Sequence, residues 1–291
     1  MFADQIASII ATRVRKPESV ADAAARRERP ASVVGADGRL VIIAADHPAR
    51  GILRAGRAGL AMADRAGLLE RLCTALSRPG VGGVLGTADV LEDLLLLGVL
   101  EGKVVIGSMN RGGLVGSVFE IDDRFTGYDA AAIARMRFDG GKMLLRIEPD
   151  DPATAPAMQA CAQAVSALGE RQLIAMIEPF IARRVDGQIH NDLSPEAMIR
   201  AVAVAAGLGT TSAYTWLKVP VVADMERVMA ASTLPVLLLG GEVPDDPAAT
   251  FDGWRAALRL PNVVGLVAGR SLLYPPDADV ATAVDAAVDL L

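Results

Sequence analysis

Short apolar runs recur along the chain, each followed by a stretch with helical spacing. Strands are expected near 40–45 (LVIIAA), 81–85 (VGGVL), 103–107 (KVVIG) and 142–147 (KMLLRI). Four more are expected near 172–177 (QLIAMI), 214–219 (YTWLKV), 235–239 (PVLLL) and 263–268 (VVGLVA). Helical patterns fill the gaps at about 63–77, 87–99, 129–137, 154–168, 195–207, 223–231, 247–259 and 277–290. Thr87, Ser194–Pro195 and Asp246–Pro247 stand at helix starts as caps or first-turn prolines. Strands that are apolar on both faces belong to a parallel sheet covered by helices. Eight such alternations in roughly 250 residues predict an α/β fold, a single (β/α)8 TIM barrel. A doubly wound sheet is the alternative. It calls for a Gly-rich turn after the first strand, where this chain has AADHPARG.

Residues 1–38 precede the first strand. Ile6, Ile9, Ile10 and Val14 have helical spacing, and 18–26 reads as a second short helix. The expectation is a helical extension over 1–38 that caps the barrel floor or packs on a neighbouring subunit, with the catalytic barrel over 39–291. The stretch 108–128 is long and Gly-rich, and loops of that length in compact domains are often functional.

Composition narrows the function. With 291 residues, 52% hydrophobic and only 4% aromatic, the chain can bury one large core. A net charge of −6 argues against a nucleic-acid surface, which needs a basic face. Apolar runs such as LLLLGVL (94–100) fall far short of the roughly 20 residues that span a bilayer. The start MFADQIASII has no basic region and carries Asp4, so no secretory signal is expected. Cys73 and Cys161 both fall in helical patterns, as core thiols of a reduced compartment. These readings place the chain in the cytoplasm, without nucleic-acid or membrane partners. His47 and His190 are the only histidines and neither has a cysteine cluster, so chemistry without metal or cofactor is expected. The apolar composition and the N-terminal helices suit a homo-oligomer.

One stretch carries the chemical question. YTWLKVP (214–220) puts Lys218 inside an apolar strand, where desolvation disfavours its charge. In a barrel the C-terminal strand ends face the active-site mouth. Polar residues gather there: Asp46 after the first strand, Lys142 and Arg146 on the fourth, Glu178 on the fifth and Lys218 on the sixth. Gly240–Gly241 close the seventh strand, and Gly269–Arg270–Ser271 the eighth. Period two puts Tyr214, Trp216 and Lys218 on one face, and Lys142, Leu144 and Arg146 on one face. A lysine desolvated beside a second cation attacks carbonyls as a free amine. Glu178 and Asp46 would move protons, and the glycines with Arg270 would hold a phosphate. Taken singly, each element has a plainer structural reading: an ion-paired lysine, a turn, a cap, and for His47 and Tyr128 packing or loop anchoring. Their coincidence on successive strand ends favours Schiff-base chemistry on a phosphorylated carbonyl compound.

These segments resemble class I aldolases of the deoxyribose-phosphate and tagatose-bisphosphate type. KMLLRIEPDD (142–151) is similar to their lysine segment on the fourth strand, IAMIEPF (174–180) to the glutamate segment of the fifth, and WLKVP to the Schiff-base strand. AADHPARG (44–51) is similar to the first-strand aspartate segment, TGYD (126–129) to a tetrapeptide before the third helix, and LLLGGE and LVAGRSL to the phosphate-binding strand ends. The resemblance spans roughly 39–275. It implies that Lys218 forms the imine, Lys142 and Glu178 assist proton transfer, and Asp46 positions the substrate. It assigns the phosphate to Gly241, Gly269 and Arg270; the strand-end reading adds Gly240 there, and Arg146 and Trp216 as further substrate contacts. A similar actinobacterial barrel group is associated with myo-inositol breakdown, where the expected step cleaves 2-deoxy-5-keto-gluconate 6-phosphate. His47, Pro48 and Arg146 depart from the tagatose-bisphosphate pattern. Deoxyribose-phosphate, fructose-bisphosphate or tagatose-bisphosphate cleavage remains open, as does an isomerase, a thiolase or a non-catalytic phosphosugar-binding protein, since fold alone does not set function.

Overall fold

The chain is described here by a computed structural model over residues 2–243 and 247–291. Eight parallel strands close into a barrel: β1 (Leu40–Ala44), β2 (Val81–Gly86), β3 (Val104–Ser108), β4 (Gly140–Ile147), β5 (Ile174–Val185), β7 (Thr215–Val219), β8 (Val236–Leu239) and β9 (Val263–Ala268). β4 pairs with β5 and β9 with β1, so no barrel edge is left open. The lysine strand expected as the sixth is β7, because β5 runs on past the barrel and folds back as a hairpin with antiparallel β6 (Gln188–Asp192). Asp186 and Gly187 make that turn with φ of 50° and 78°, the left-handed pair a two-residue hairpin requires.

Period two sorts the strand residues into two cores. Leu40, Ile42, Leu85, Val104, Ile106, Met176, Leu237 and Val267 fill the barrel interior. Their neighbours, such as Val41, Ile43, Val105, Ile177, Leu217 and Leu266, face outward into a larger core. That outer core is completed by α3 (Arg65–Leu76), α4 (Ala88–Leu96), α5 (Ala130–Arg135), α6 (Thr154–Gly169), α7 (Pro195–Ala206), α8 (Met225–Met229), α9 (Pro247–Ala257), α10 (Arg270–Leu273) and α11 (Val280–Val288). Ser194 caps α7, its hydroxyl accepting from the Ala197 N–H at 3.3 Å, with Pro195 in the first turn. Thr87 instead donates to Asp89 and makes no backbone cap. The cap expected at Asp246 lies outside the described residues.

α1 (Phe2–Arg15) and α2 (Ser19–Arg26) precede the barrel and pack on its outer helices, not beneath it. Arg13 holds α1 to Glu92 and Asp93 of α4 at 3.0 and 2.9 Å. The floor is covered by the segment that follows. Arg27, fully buried, donates to the Lys103 carbonyl at 2.8 Å, Arg29 pairs with Asp139 at 2.9 Å, and Val33 and Val34 pack on the interior cluster. Among the described residues no helix is long and apolar enough to cross a membrane.

Candidate active site

The interior face of the strands turns polar at the C-terminal end. Ser108 and Lys142 are register partners on β3 and β4, Leu144 pairs with Glu178 on β5, and Lys218 stands on β7 opposite Leu237. Asp46 follows β1 on the same inward parity. The barrel therefore gathers the four residues expected to be catalytic into one buried chain of alternating charge. Lys218 Nζ lies 3.1 Å from Glu178 Oε1, the other glutamate oxygen is ion-paired to Lys142, and Lys142 Nζ reaches Asp46 Oδ2 at 3.5 Å. The lysines are only 2–5% exposed.

Arg111 closes the chain and was missing from the sequence reading. It ion-pairs with Asp46 and donates from Nε to Ser108 Oγ at 2.7 Å, while Ser108 donates to Asp46 at 3.1 Å. The signal was available: SMNR follows the third strand directly, and the strand-end rule used elsewhere applies there too. With Arg111 included, three cations meet two carboxylates. Burial alone would raise both acids. Arg111 and Lys142 outweigh it and hold Asp46 well below the usual carboxylate range, and Lys142 with Lys218 brings Glu178 down to about 2. Burial pushes the Lys142 ammonium down to about 8, its two carboxylate partners opposing the shift.

His47 stands beside Asp46, with Nδ1 4.0 Å from Asp46 Oδ1, too far for a hydrogen bond. Burial first, then Arg270, Lys218 and Arg111, push its imidazole down to about 3, so it is neutral at physiological pH.

The glycine-closed strands lie across the mouth. A Cβ on Gly240 would fall 2.7 Å from Ser271 Oγ, and one on Gly269 would fall 2.4 Å from the Ala44 carbonyl. Only glycine lets these strand ends approach so closely. Gly241, at φ +67°, turns the chain outward. Arg270 is buried, with Nη1 2.6 Å from Glu242, a carboxylate 66% exposed. Arg270 Nε, Ser271 Oγ and His47 Nδ1 are buried with no hydrogen-bond partner.

Two expected substrate contacts lie elsewhere. Arg146 shares the inward face of β4 with Lys142, but it is ion-paired to Glu120 and donates to the Glu120 carbonyl at 3.0 Å, tying down the long loop after β3. Arg50 does the same from the other side, donating to the Gly113 and Asn110 carbonyls at 2.8 and 3.0 Å and pairing with Asp123. Trp216 lies one layer below Lys218, within the interior apolar cluster with Val33, Val34 and Val264. Period two put it on the correct face but could not tell mouth from floor. Tyr128 anchors its loop by an edge-on contact with Phe138, ring centroids 5.6 Å apart.

The same barrel occurs in solved structures. A protein described as a Schiff base-forming fructose-1,6-bisphosphate aldolase matches with a TM-score of 0.65 and 16% identity, over 93% of this chain and 99% of that one. A fructose-bisphosphate aldolase from Slackia heliotrinireducens gives a TM-score of 0.65 and 17% identity over 90% and 87%. At these identities the likeness concerns the fold. No curated protein matches the chain. The crystal structure of Cgl0159 from Corynebacterium glutamicum is similar throughout, with 51% identity, a TM-score of 0.96 and coverage of 99% and 96%. With the Cgl0159-like family matched over residues 38–288 as well, the chain belongs to that family.

Proposed function

We propose that the protein is a metal-independent class I aldolase that cleaves a phosphorylated keto-sugar or keto-acid through an imine on Lys218. The observation that carries this reading is Glu178 bridging two buried lysine amines inside the barrel mouth, with Asp46 next in line. A fold shared with proteins described as Schiff base-forming aldolases supports it.

The chemistry follows from the charge chain. Glu178 touches both amines, so a proton passed from Lys218 through it to Lys142 leaves Lys218 as the free amine. Lys218 Nζ adds to the substrate ketone, and the Lys142 ammonium protonates the carbinolamine oxygen so that it departs as water. The iminium then draws electrons from the adjacent carbon–carbon bond. Asp46, held ionised by Arg111, orients the substrate hydroxyl. The hydroxyl proton passes to the Lys142 amine, left neutral by the previous step, as that bond breaks and an aldehyde leaves, and Lys142 returns it to the enamine carbon. Protonation of the remaining enamine and hydrolysis release the ketone and restore Lys218. Gly240, Gly241, Gly269, Arg270 and Ser271 hold the phosphate. The substrate named by the sequence resemblance, 2-deoxy-5-keto-gluconate 6-phosphate, would give dihydroxyacetone phosphate and malonate semialdehyde by this route.

Borohydride reduction with dihydroxyacetone phosphate, followed by peptide mapping, tests the reading. A stable adduct on Lys218, absent from Lys218→Ala, is expected. An adduct on Lys142 would keep the reaction class and reverse the two lysine roles. No adduct with any phosphorylated ketone would shift the reading to an isomerase or a binding protein.

A further inference from the structure

The cavity at this end of the barrel, about 1210 Å³, is not lined by the lysines, which lie deeper. Its walls come from the loop after β1 (51–61), from Val115 beyond β3, from Glu242 and Val243 beyond β8, and from α10 and the residues after it. Among the described residues, four arginines line it (Arg54, Arg57, Arg71 and Arg270) against a single carboxylate, Glu242. In a chain of net charge −6 this is a marked local reversal. Each arginine is held differently. Arg71 donates to the Leu273 carbonyl at 2.9 Å and stacks on Tyr274, and Arg270 faces Glu242. Arg54 donates only to the nearby Gly56 carbonyl, at 2.9 Å, and Arg57 is exposed with no hydrogen bond or ion pair among the described residues. The Ala55–Ala58 reverse turn thus presents two exposed guanidinium groups over the cavity. Arg270 Nε on the cavity wall, and Ser271 Oγ next to it in the chain, are buried polar atoms without partners.

We propose that Arg54 and Arg57 form a capture site for phosphomonoester dianions, which attracts the ligand into the cavity and delivers its phosphate to Arg270 and Ser271. The exposed Glu242 carboxylate is the group the arriving phosphate displaces from Arg270. A cleft lined by one sign of charge raises the arrival rate of the opposite sign by about 10- to 1000-fold, and salt suppresses the effect. Arg54 and Arg57 touch no reacting atom in this scheme. They act on the rate at which phosphorylated ligand arrives.

The proposal rests on the aldolase reading, and its test separates the two. The rate of borohydride trapping by dihydroxyacetone phosphate, well below saturation, is compared for wild type and Arg54→Glu/Arg57→Glu at about 10 mM and about 500 mM salt, where exposed charges are respectively felt over about 30 Å and largely screened. The expected result is a loss of about tenfold or more at low salt, with the two proteins converging within about twofold at high salt. Equal rates at low salt would overturn the proposal, and so would a deficit that persists undiminished at high salt. No adduct in the wild type with any phosphorylated ketone would overturn the aldolase reading itself.

Discussion

At the residue scale, Glu178 is the keystone of the charge chain, because both lysines share it. Removing one partner of a buried ion pair leaves an unpaired charge and costs about 3–5 kcal/mol. Glu178→Gln should lose about that much in weakly acidic to neutral buffer in denaturant unfolding. The gap to the wild type should narrow as pH approaches 8, because without Glu178 the Lys142 ammonium gives up its proton below the wild-type value of about 8. The acid side has its own signature. The glutamate titrates near 2 in the fold against an ordinary value of 4.5, so its stabilisation is fully present above about 4.5 and lost as pH falls from 4.5 towards 2. The variant should therefore show a shallower acid limb than the wild type. A loss below about 1 kcal/mol at pH 7 would mean that the glutamate does not hold both amines. Lys142, Glu178, Lys218 and Asp46 were legible in the sequence because each follows period two to a strand end. Their order along one ion chain was not, since it depends on which strands become neighbours on closure.

At the element scale, the loop between β3 and α5 is fixed by two arginines from outside it, Arg50 and Arg146, and by Asn110, which donates to the Leu144 carbonyl at 2.6 Å and accepts from its N–H at 2.8 Å. Its length and glycines marked it as a site element, but they said nothing of what would hold it. Arg146 looked like a substrate contact because its parity matches Lys142, and only the folded loop shows Glu120 waiting for it. Arg146→Met keeps most of the side-chain volume and strands a carboxylate that is 4% exposed. It should cost about 3 kcal/mol and speed amide exchange over 113–121, with the barrel strands still protected. Unchanged exchange in the loop would show that the Glu120 pair does not hold it. The β5–β6 hairpin is a different kind of miss. Asp186–Gly187 is a standard hairpin dipeptide, yet the apolar pattern ends near 177, while β5 pairs with β4 as far as Ile181 and then runs into the hairpin.

At the scale of the whole molecule, the candidate site and the packed floor occupy opposite ends of the barrel, as parallel barrels commonly arrange them. Eight alternations made the barrel legible, but the placement of residues 1–38 was not, because helical spacing in α1 and α2 does not say which surface they cover. The structure divides that segment: the helices brace the outer layer, and residues 27–34 close the floor with Arg27, Arg29, Val33 and Val34. Val33, Val34 and Trp216 therefore form a plug one layer or more below Lys218. Val33→Ala with Val34→Ala removes half-buried apolar surface, and should cost about 1–2 kcal/mol in total. Trp216 emission should shift to the red as water reaches its floor side, while Trp254, 1% exposed on α9, keeps its environment. Imine trapping on Lys218 should remain within about twofold of wild type, because the strand register that sets the lysine–glutamate geometry is fixed by neighbouring strands and not by the plug. A red shift accompanied by a tenfold loss of trapping would mean that the floor transmits its packing to the mouth, and that the two ends of this barrel are coupled.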